Sequence, residues 1–335
     1  MTKSGRRWVM VERPGAVLSL NQFELREFAL PDLGNGDVFV KVQAHTVAPG
    51  ARAAMMYASL GRPIAPGDPV LGLAMGTVVE SRHPRFQVND MVTGYLGWAT
   101  HGVVRGEDLT MLDPKLYGDD LPPEAALGPL GVSGVTAYVG LFEVGRIKAG
   151  ETVLVSSAAG SVGYLAGQMA VIAGCDVVGI AGSDAKCQEL MDRFGFHAAI
   201  NHRSANDLGQ AIKSIRPDGV DVFFDNVGGR TLNAGAANIR PFGRVVMCGR
   251  LGNYAEGEAQ VSAGLGPSDR VTFQGFVEFD YAAAHPTARR RIANWLRTGK
   301  LIQQVSFVQG IEQSAAMFLS LFESGAQPRV IIRVE

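Results

Sequence analysis

Two rhythms of hydrophobic and polar positions divide this chain. Up to about residue 125 the apolar residues come in short runs, such as Val38-Phe39-Val40-Lys41-Val42 and Gly76-Thr77-Val78-Val79-Glu80-Ser81. Breakers separate these runs at Pro31, Gly34-Asn35-Gly36, Pro63, Pro66-Gly67 and Pro69, which predicts a mainly β domain. From residue 152 the rhythm becomes an alternation of strands and helices. Strands are expected over 152–155, 176–181, 198–201, 221–225, 243–248 and 270–276, with helices over 164–170, 184–194, 205–215 and 288–296. That alternation predicts an α/β unit with a parallel, doubly wound sheet. The last segment, 305–335, carries an edge-like strand, a helix over 313–322 and a β-rich end at 330–334, and is expected to return to the first domain.

Between the two rhythms, residues 125–142 form eighteen positions without a charge. Gly128, Pro129, Gly131, Gly134 and Gly140 make the stretch too weakly apolar for a membrane span, so it predicts a buried helix. At 47% hydrophobic and 19% charged residues, the 335-residue chain has the composition of a compact protein with room for two cores. A net charge of −1, with no block of like charges, argues against a nucleic-acid or anionic-membrane surface. Cys175, Cys187 and Cys248 stand singly, and His45, His83 and His101 are widely spaced without cysteine neighbours. No metal is therefore expected, and the three histidines read as structural or surface residues. The basic N-terminus lacks a following apolar segment, so a cytoplasmic location is expected.

The chemistry concentrates where the second rhythm begins. The run Thr152-Val153-Leu154-Val155 leads into Ser156-Ser157-Ala158-Ala159-Gly160-Ser161-Val162-Gly163 and then into a helical pattern. This is the spacing of a dinucleotide-binding turn, with Ala158 where the first glycine usually stands. Gly160 allows the backbone to approach a pyrophosphate, and Gly163 allows helix and sheet to pack closely. The first N–H groups of the helix favour the phosphate charge. The second strand ends Ile180-Ala181-Gly182-Ser183 with no acid at its tip, and Asp184 reads as a helix cap. Ser183 and Lys186 suit a 2′-phosphate, which favours NADP(H) over NAD(H).

Further motifs follow in order: Leu130-Gly131-Val132-Ser133-Gly134-Val135-Thr136-Ala137-Tyr138, Gly182-Ser183-Asp184-Ala185-Lys186, Asp225-Asn226-Val227-Gly228-Gly229, Cys248-Gly249-Arg250-Leu251-Gly252-Asn253-Tyr254 and Gly275-Phe276-Val277-Glu278-Phe279-Asp280-Tyr281. Together with the turn at 158–163, the series resembles the zinc-independent medium-chain dehydrogenase/reductases. The branch it resembles is that of leukotriene B4 dehydrogenase/prostaglandin reductase and the curcumin and alkenal double-bond reductases. The resemblance spans nearly the whole chain. It implies a GroES-like, mainly β catalytic domain over 1–125, completed by 305–335, and a Rossmann NADP-binding domain over 126–304.

By that resemblance Gly160, Ser161, Val162 and Gly163 meet the pyrophosphate, Lys186 meets the 2′-phosphate and Asn226 lies along the cofactor, with Gly182 and Ser183 as further cofactor-binding candidates. Cys248, Gly249, Tyr254, Phe276, Val277 and Glu278 frame the nicotinamide. The implied reaction is NADPH-dependent reduction of the carbon–carbon double bond of α,β-unsaturated ketones or aldehydes. Tyr254 is the candidate donor or proton relay to the developing enolate. The alternatives are a quinone or carbonyl oxidoreductase and a non-catalytic NADPH-binding protein. The expected partners are a small-molecule enone or enal and a second copy of the chain in a homodimer.

Three departures from the family pattern stand out. His202, in Asn201-His202-Arg203, stands where a tyrosine usually assists the phosphate-binding lysine; His202 or Arg203 is a candidate to meet the phosphate, the alternative being a surface histidine. Ala48-Pro49-Gly50-Ala51-Arg52 has Gly50 in place of a bulky tyrosine while keeping Arg52, which reshapes the expected substrate pocket. Ala326-Gln327-Pro328-Arg329 lacks the asparagine often found beside the nicotinamide end, and Gln327 is the candidate substitute.

Overall fold

A computed structural model describes residues 4–15, 17–56, 64–249, 270–323 and 329–335. The chain divides into two units, one formed by Met1–Gly128 with Val305–Gly325 and Arg329–Glu335, the other by Pro129–Gln304. The first unit begins with the antiparallel pair β1 (Ser4–Met10) and β2 (Phe23–Ala29). It continues through β3 (Asp37–Val47), β4 (Ala74–Ser81), β5 (Met91–Gly94), β6 (His101–Arg105) and β7 (Thr110–Met111). β3 is the spine of this unit, pairing antiparallel with β4 and with β6. Val40 and Val42 point into the core while Lys41 and Gln43 are exposed, the period of two that a half-buried strand requires. Met10, Phe23, Met55, Trp98 and Phe318 build its main apolar cluster.

His45 on β3 is completely buried. Its Nε2 lies 3.1 Å from the Ser314 hydroxyl, which itself donates to the carbonyl of Ile311 at 2.6 Å. Because Ser314 uses its proton on Ile311, it faces Nε2 as an acceptor, while Nδ1 lies 3.5 Å from the Thr46 carbonyl oxygen. Burial lowers the imidazole pKa to about 4. His45 is a core residue stacked on Trp98, with ring centroids 6.2 Å apart.

The second unit holds β8 (Thr152–Val155), β9 (Asp176–Ala181), β10 (Ala198–Asn201), β11 (Val220–Asp225), β12 (Ile239–Met247) and β13 (Thr272–Gly275). They form one sheet in the order β10-β9-β8-β11-β12-β13, and every neighbouring pair is parallel. The order reverses between β8 and β11, the switch point at which open parallel sheets take their ligands. β8 is buried along its whole length, as its unbroken apolar run requires in a sheet covered on both faces. The uncharged stretch 125–142 departs from the single buried helix expected. It is a 3₁₀ turn, Pro123–Leu127, a helix, Val132–Tyr138, and a π turn, Val139–Val144. Gly128 and Pro129 interrupt the helical pattern, since proline disfavours helical backbone in the residue before it. No helix among the described residues is long and apolar enough to cross a membrane.

The chain then returns to the first unit as β14 (Val305–Gln309), the helix Ser314–Glu323 and β15 (Arg329–Arg333). β15 lies between β14 and β3, parallel to the former and antiparallel to the latter.

Candidate cofactor site

The carboxyl ends of the six parallel strands gather nearly every residue singled out in the second unit. Gly160, Ser161 and Val162 follow β8, Gly182 and Ser183 follow β9, and His202 follows β10. Asn226 follows β11, Cys248 and Gly249 follow β12, and Phe276, Val277 and Glu278 follow β13. Local chemistry fixes each turn. After β8, Ser157 takes a left-handed backbone, φ +48°, a conformation uncommon outside glycine that bends the chain sharply toward the helix. The helix Gly163–Ile172 starts without a side-chain cap, and within its first turn the Tyr164 N–H bonds the Gly160 carbonyl at 3.0 Å; a helix start with no side-chain cap suits an anion. A Cβ on Gly163 would stand 2.2 Å from the Ser157 carbonyl oxygen, which is why only glycine fits there. Ser161 and Val162 stay partly exposed beside it.

At the switch point a buried polar network ties β8 to β11. The Ser156 hydroxyl donates to Asp225 Oδ1 at 2.6 Å and accepts the backbone N–H of Asn226 at 2.8 Å. Asp225 also accepts from the backbone N–H groups of Val227 and Gly228, at 3.2 and 2.8 Å. The Asn226 amide donates to the Ser156 carbonyl at 2.7 Å, so its side chain is held across the crevice. Burial pushes the Asp225 carboxyl above its usual range, against the pull of those three donors. Asp225 has no expected task within the motif Asp225-Asn226-Val227-Gly228-Gly229. The signal was an acid closing the apolar run Val222-Phe223-Phe224, at a position where a carboxylate needs donors to be buried.

Next to this network, the backbone N–H groups of Cys248 and Gly249 donate to the Asp225 carbonyl, at 2.8 and 3.2 Å. Burial, Asp225 and Glu278 together raise the Cys248 thiol, so it stays protonated and unreactive. Glu278 is buried and pushed up by that burial, while its own N–H and that of Phe279 pull the other way. Val277 beside it is exposed, and Phe276 meets Tyr281 edge to face at 6.4 Å.

Beyond β9 and β10 three cationic side chains converge. A Cβ built on Gly182 would lie 3.5 Å from His202 Nε2 and 3.6 Å from Arg203 Nε. Ser183 caps the following helix, its hydroxyl accepting the Lys186 N–H at 3.3 Å, and Lys186 projects from that first turn. Burial and then the charge of Arg203 lower the pKa of both Lys186 and His202. A lysine, an arginine and an imidazole gathered beside a side-chain-free strand tip form a cradle for a dianion. With the uncapped helix at 163, the residues present fit a dinucleotide that carries a phosphate on its adenine ribose.

Gly50 and Arg52 belong to the first unit, in the helix Gly50–Met56. A Cβ on Gly50 meets nothing within 4 Å among the described residues. Arg52 is buried, with Nη2 donating to the Gly15 carbonyl at 3.3 Å and its guanidinium 5.1 Å from the Phe322 ring centroid. Tyr254 and Gln327 lie outside the described residues. Among the described residues no group of three or more His, Cys, Asp or Glu is placed to hold a metal ion.

Comparison with known proteins gives matches along the chain. Residues 6–112 match the family described as the N-terminal domain of oxidoreductase, and residues 161–293 match the one described as zinc-binding dehydrogenase. Prostaglandin reductase 1 of Bos taurus is 34% identical over 318 residues, covering 93% of this chain and 94% of that one. The NADP(+)-dependent 2-alkenal reductase of Nicotiana tabacum is 35% identical over 295 residues, 86% of this chain and 84% of the other. Among solved structures, CurA of Vibrio vulnificus in complex with NADPH is similar with a TM-score of 0.86 at 28% identity, covering 98% of this chain and 99% of that one.

Proposed function

We propose that this chain, which belongs to the zinc-independent medium-chain dehydrogenase/reductases, reduces the carbon–carbon double bond of α,β-unsaturated ketones and aldehydes. It is an NADP(H)-dependent oxidoreductase. The observation that carries the double bond as the target is kinship over most of the chain with prostaglandin and 2-alkenal reductases, at 34% and 35% identity.

The residues divide the work. The N–H groups at Ser161, Val162 and Gly163 hold the pyrophosphate, and Lys186, His202 and Arg203 hold the 2′-phosphate. Asn226, fixed on Ser156, sets the depth of the crevice at the switch point. Cys248, Gly249 and the turn Phe276–Glu278 form the wall for the nicotinamide end. When bound, the cofactor supplies a hydride to the β carbon of the substrate. Negative charge then develops on the substrate carbonyl oxygen, and the Tyr254 hydroxyl donates a hydrogen bond to it and relays the proton to the α carbon. Gly50 widens the substrate space that a tyrosine fills in relatives, so bulky enones are accepted. We expect the working assembly to be a homodimer.

The test is NADPH oxidation with an enone, an enal and a quinone, with identification of the product and with Tyr254→Phe alongside. The expected product is the saturated ketone or aldehyde, with a rate in Tyr254→Phe lowered about a hundredfold or more. Consumption of NADPH with the quinone alone, or an allylic alcohol as product, overturns the reading. Gly50→Tyr is expected to raise KM for bulky enones and leave small enals unaffected.

A further inference from the structure

The family pattern places a tyrosine beside the 2′-phosphate lysine, and this chain places His202 there. We propose that His202 is a proton-linked contact to the 2′-phosphate, so that NADP(H) binds together with a proton and discrimination against NAD(H) weakens as pH rises. The proposal rests on the NADP(H) reading above and adds the linkage to protons.

The geometry comes first. The imidazole and the Arg203 guanidinium stand side by side over the Gly182 strand tip, 3.5 and 3.6 Å from where a Cβ would be. The turn that presents them is pinned by His202 N–H on the Ala181 carbonyl at 3.0 Å and Arg203 N–H on Asn201 Oδ1 at 3.0 Å. Ser183 and Lys186 approach from the start of the helix Asp184–Phe194. The carboxylate at that helix start, Asp184, receives the Asn201 amide at 2.8 Å. Glu189, one turn further on, acts on Lys186 and is bonded by Arg193 at 3.0 Å and by Gln304 at 2.9 Å. Around His202 itself, the charge that acts among the described residues is that of Arg203, and it is positive.

The consequence follows from charge. Burial and Arg203 hold the imidazole below its usual range while no anion is near. A phosphate dianion beside it reverses the balance and favours the imidazolium, so the pKa rises on binding. A group whose pKa is higher in the complex takes up a proton as the ligand binds, and affinity falls as pH rises between the two values. A tyrosine at the same place offers a hydroxyl that stays neutral throughout this range, its pKa being about 10. The phosphate monoester has a second pKa of about 6, and its own protonation weakens binding toward acid, the opposite direction. The two trends separate above neutrality, where the phosphate is already a dianion.

The experiment is calorimetric titration of the whole protein with NADP+ and with NAD+ from about pH 6.5 to about pH 8.5, in buffers of different ionisation enthalpy. NADP+ affinity is expected to fall several-fold across this range, about tenfold for each unit by which binding raises the pKa. A fraction of a proton should be taken up per NADP+ bound and none per NAD+. His202→Gln and His202→Tyr should abolish both effects and still prefer NADP+, through Lys186 and Arg203. The imidazole resonances of His202 should report a higher pKa with NADP+ than without. The same pH dependence in wild type and His202→Gln, or an unmoved imidazole pKa, overturns the proposal and leaves the cofactor assignment standing. Equal affinity for NADP+ and NAD+ at every pH overturns the cofactor assignment itself.

Discussion

Each unit buries a serine at the centre of a polar cluster, and the two serines do the same thing for different ends. Ser156 donates to Asp225 and accepts from the Asn226 backbone, while Ser314 donates to the Ile311 carbonyl and faces His45 Nε2 as an acceptor. Both are fully buried. The cluster around Ser156 stands at the carboxyl tips of β8 and β11 and leads directly into the turn 225–228. The cluster around Ser314 is closed in by Trp98 and serves packing alone. A buried, hydrogen-bonded titratable group is therefore no mark of function in this protein. What distinguishes the Ser156 cluster is its place: its donors and acceptors shape a turn at the carboxyl tips of the parallel strands, where open sheets of this kind take their ligands.

The sharpest way to break that comparison is Asp225→Ala. It strands the Ser156 hydroxyl and two backbone N–H groups in a dry site, and is expected to cost about 4 kcal/mol of stability. Chemical denaturation and NADP+ titration should show both losses together. Unchanged cofactor affinity in a folded Asp225→Ala protein would reduce the cluster to packing, like its counterpart. A smaller effect comes from pH, because the two clusters titrate with opposite signs. The His45 pKa is about 4 when folded against 6.5 for an unperturbed imidazole, so the unfolded chain takes the proton first and stability falls on acidification. The full loss is about 3 kcal/mol, reached as the pH drops through that window. The raised pKa of Asp225 means the folded state binds its proton more readily, so this group favours folding as pH falls. His45→Gln, which keeps an N–H donor and cannot charge, should flatten the acid slope in thermal melts. An unchanged slope would place the titration elsewhere. The smallest effect expected is that of Lys186→Ala, which should weaken NADP+ about tenfold to a hundredfold without altering NAD+ affinity or thermal stability. Equal losses for both cofactors would move the 2′-phosphate away from the β9 tip.

The second unit was far more legible than the first. The central strands β8, β9 and β11, buried over most of their length, write themselves as apolar runs, and the strands expected at 152–155, 176–181 and 198–201 have those bounds in the structure. Turns at their ends need glycine, serine or asparagine for stated backbone reasons, so candidate ligand contacts could be read beside each run. The antiparallel unit gives weaker signals, because which strand pairs with which depends on contacts distant in sequence. Nothing local in Asp37–Val47 says that this strand joins three others. The stretch 125–142 misled because lack of charge reports burial and says little about backbone geometry, and Gly128-Pro129 decides the geometry. Asp225 went unassigned because its task lies in Ser156, 69 residues away. Convergence of Arg203 with His202 and Lys186 likewise depends on β10 lying next to β9.

The position of β15 sets an order of assembly during synthesis. Val330 pairs with Val47 on one side and with Ser306 on the other, so β15, which follows the 129–304 unit in the sequence, is an interior member of its sheet. A nascent chain on the ribosome has every strand of the 129–304 unit before β15 exists. The unit encoded in the middle can thus complete itself while β3, already made, waits with an unpaired edge, a template for aggregation if translation stalls.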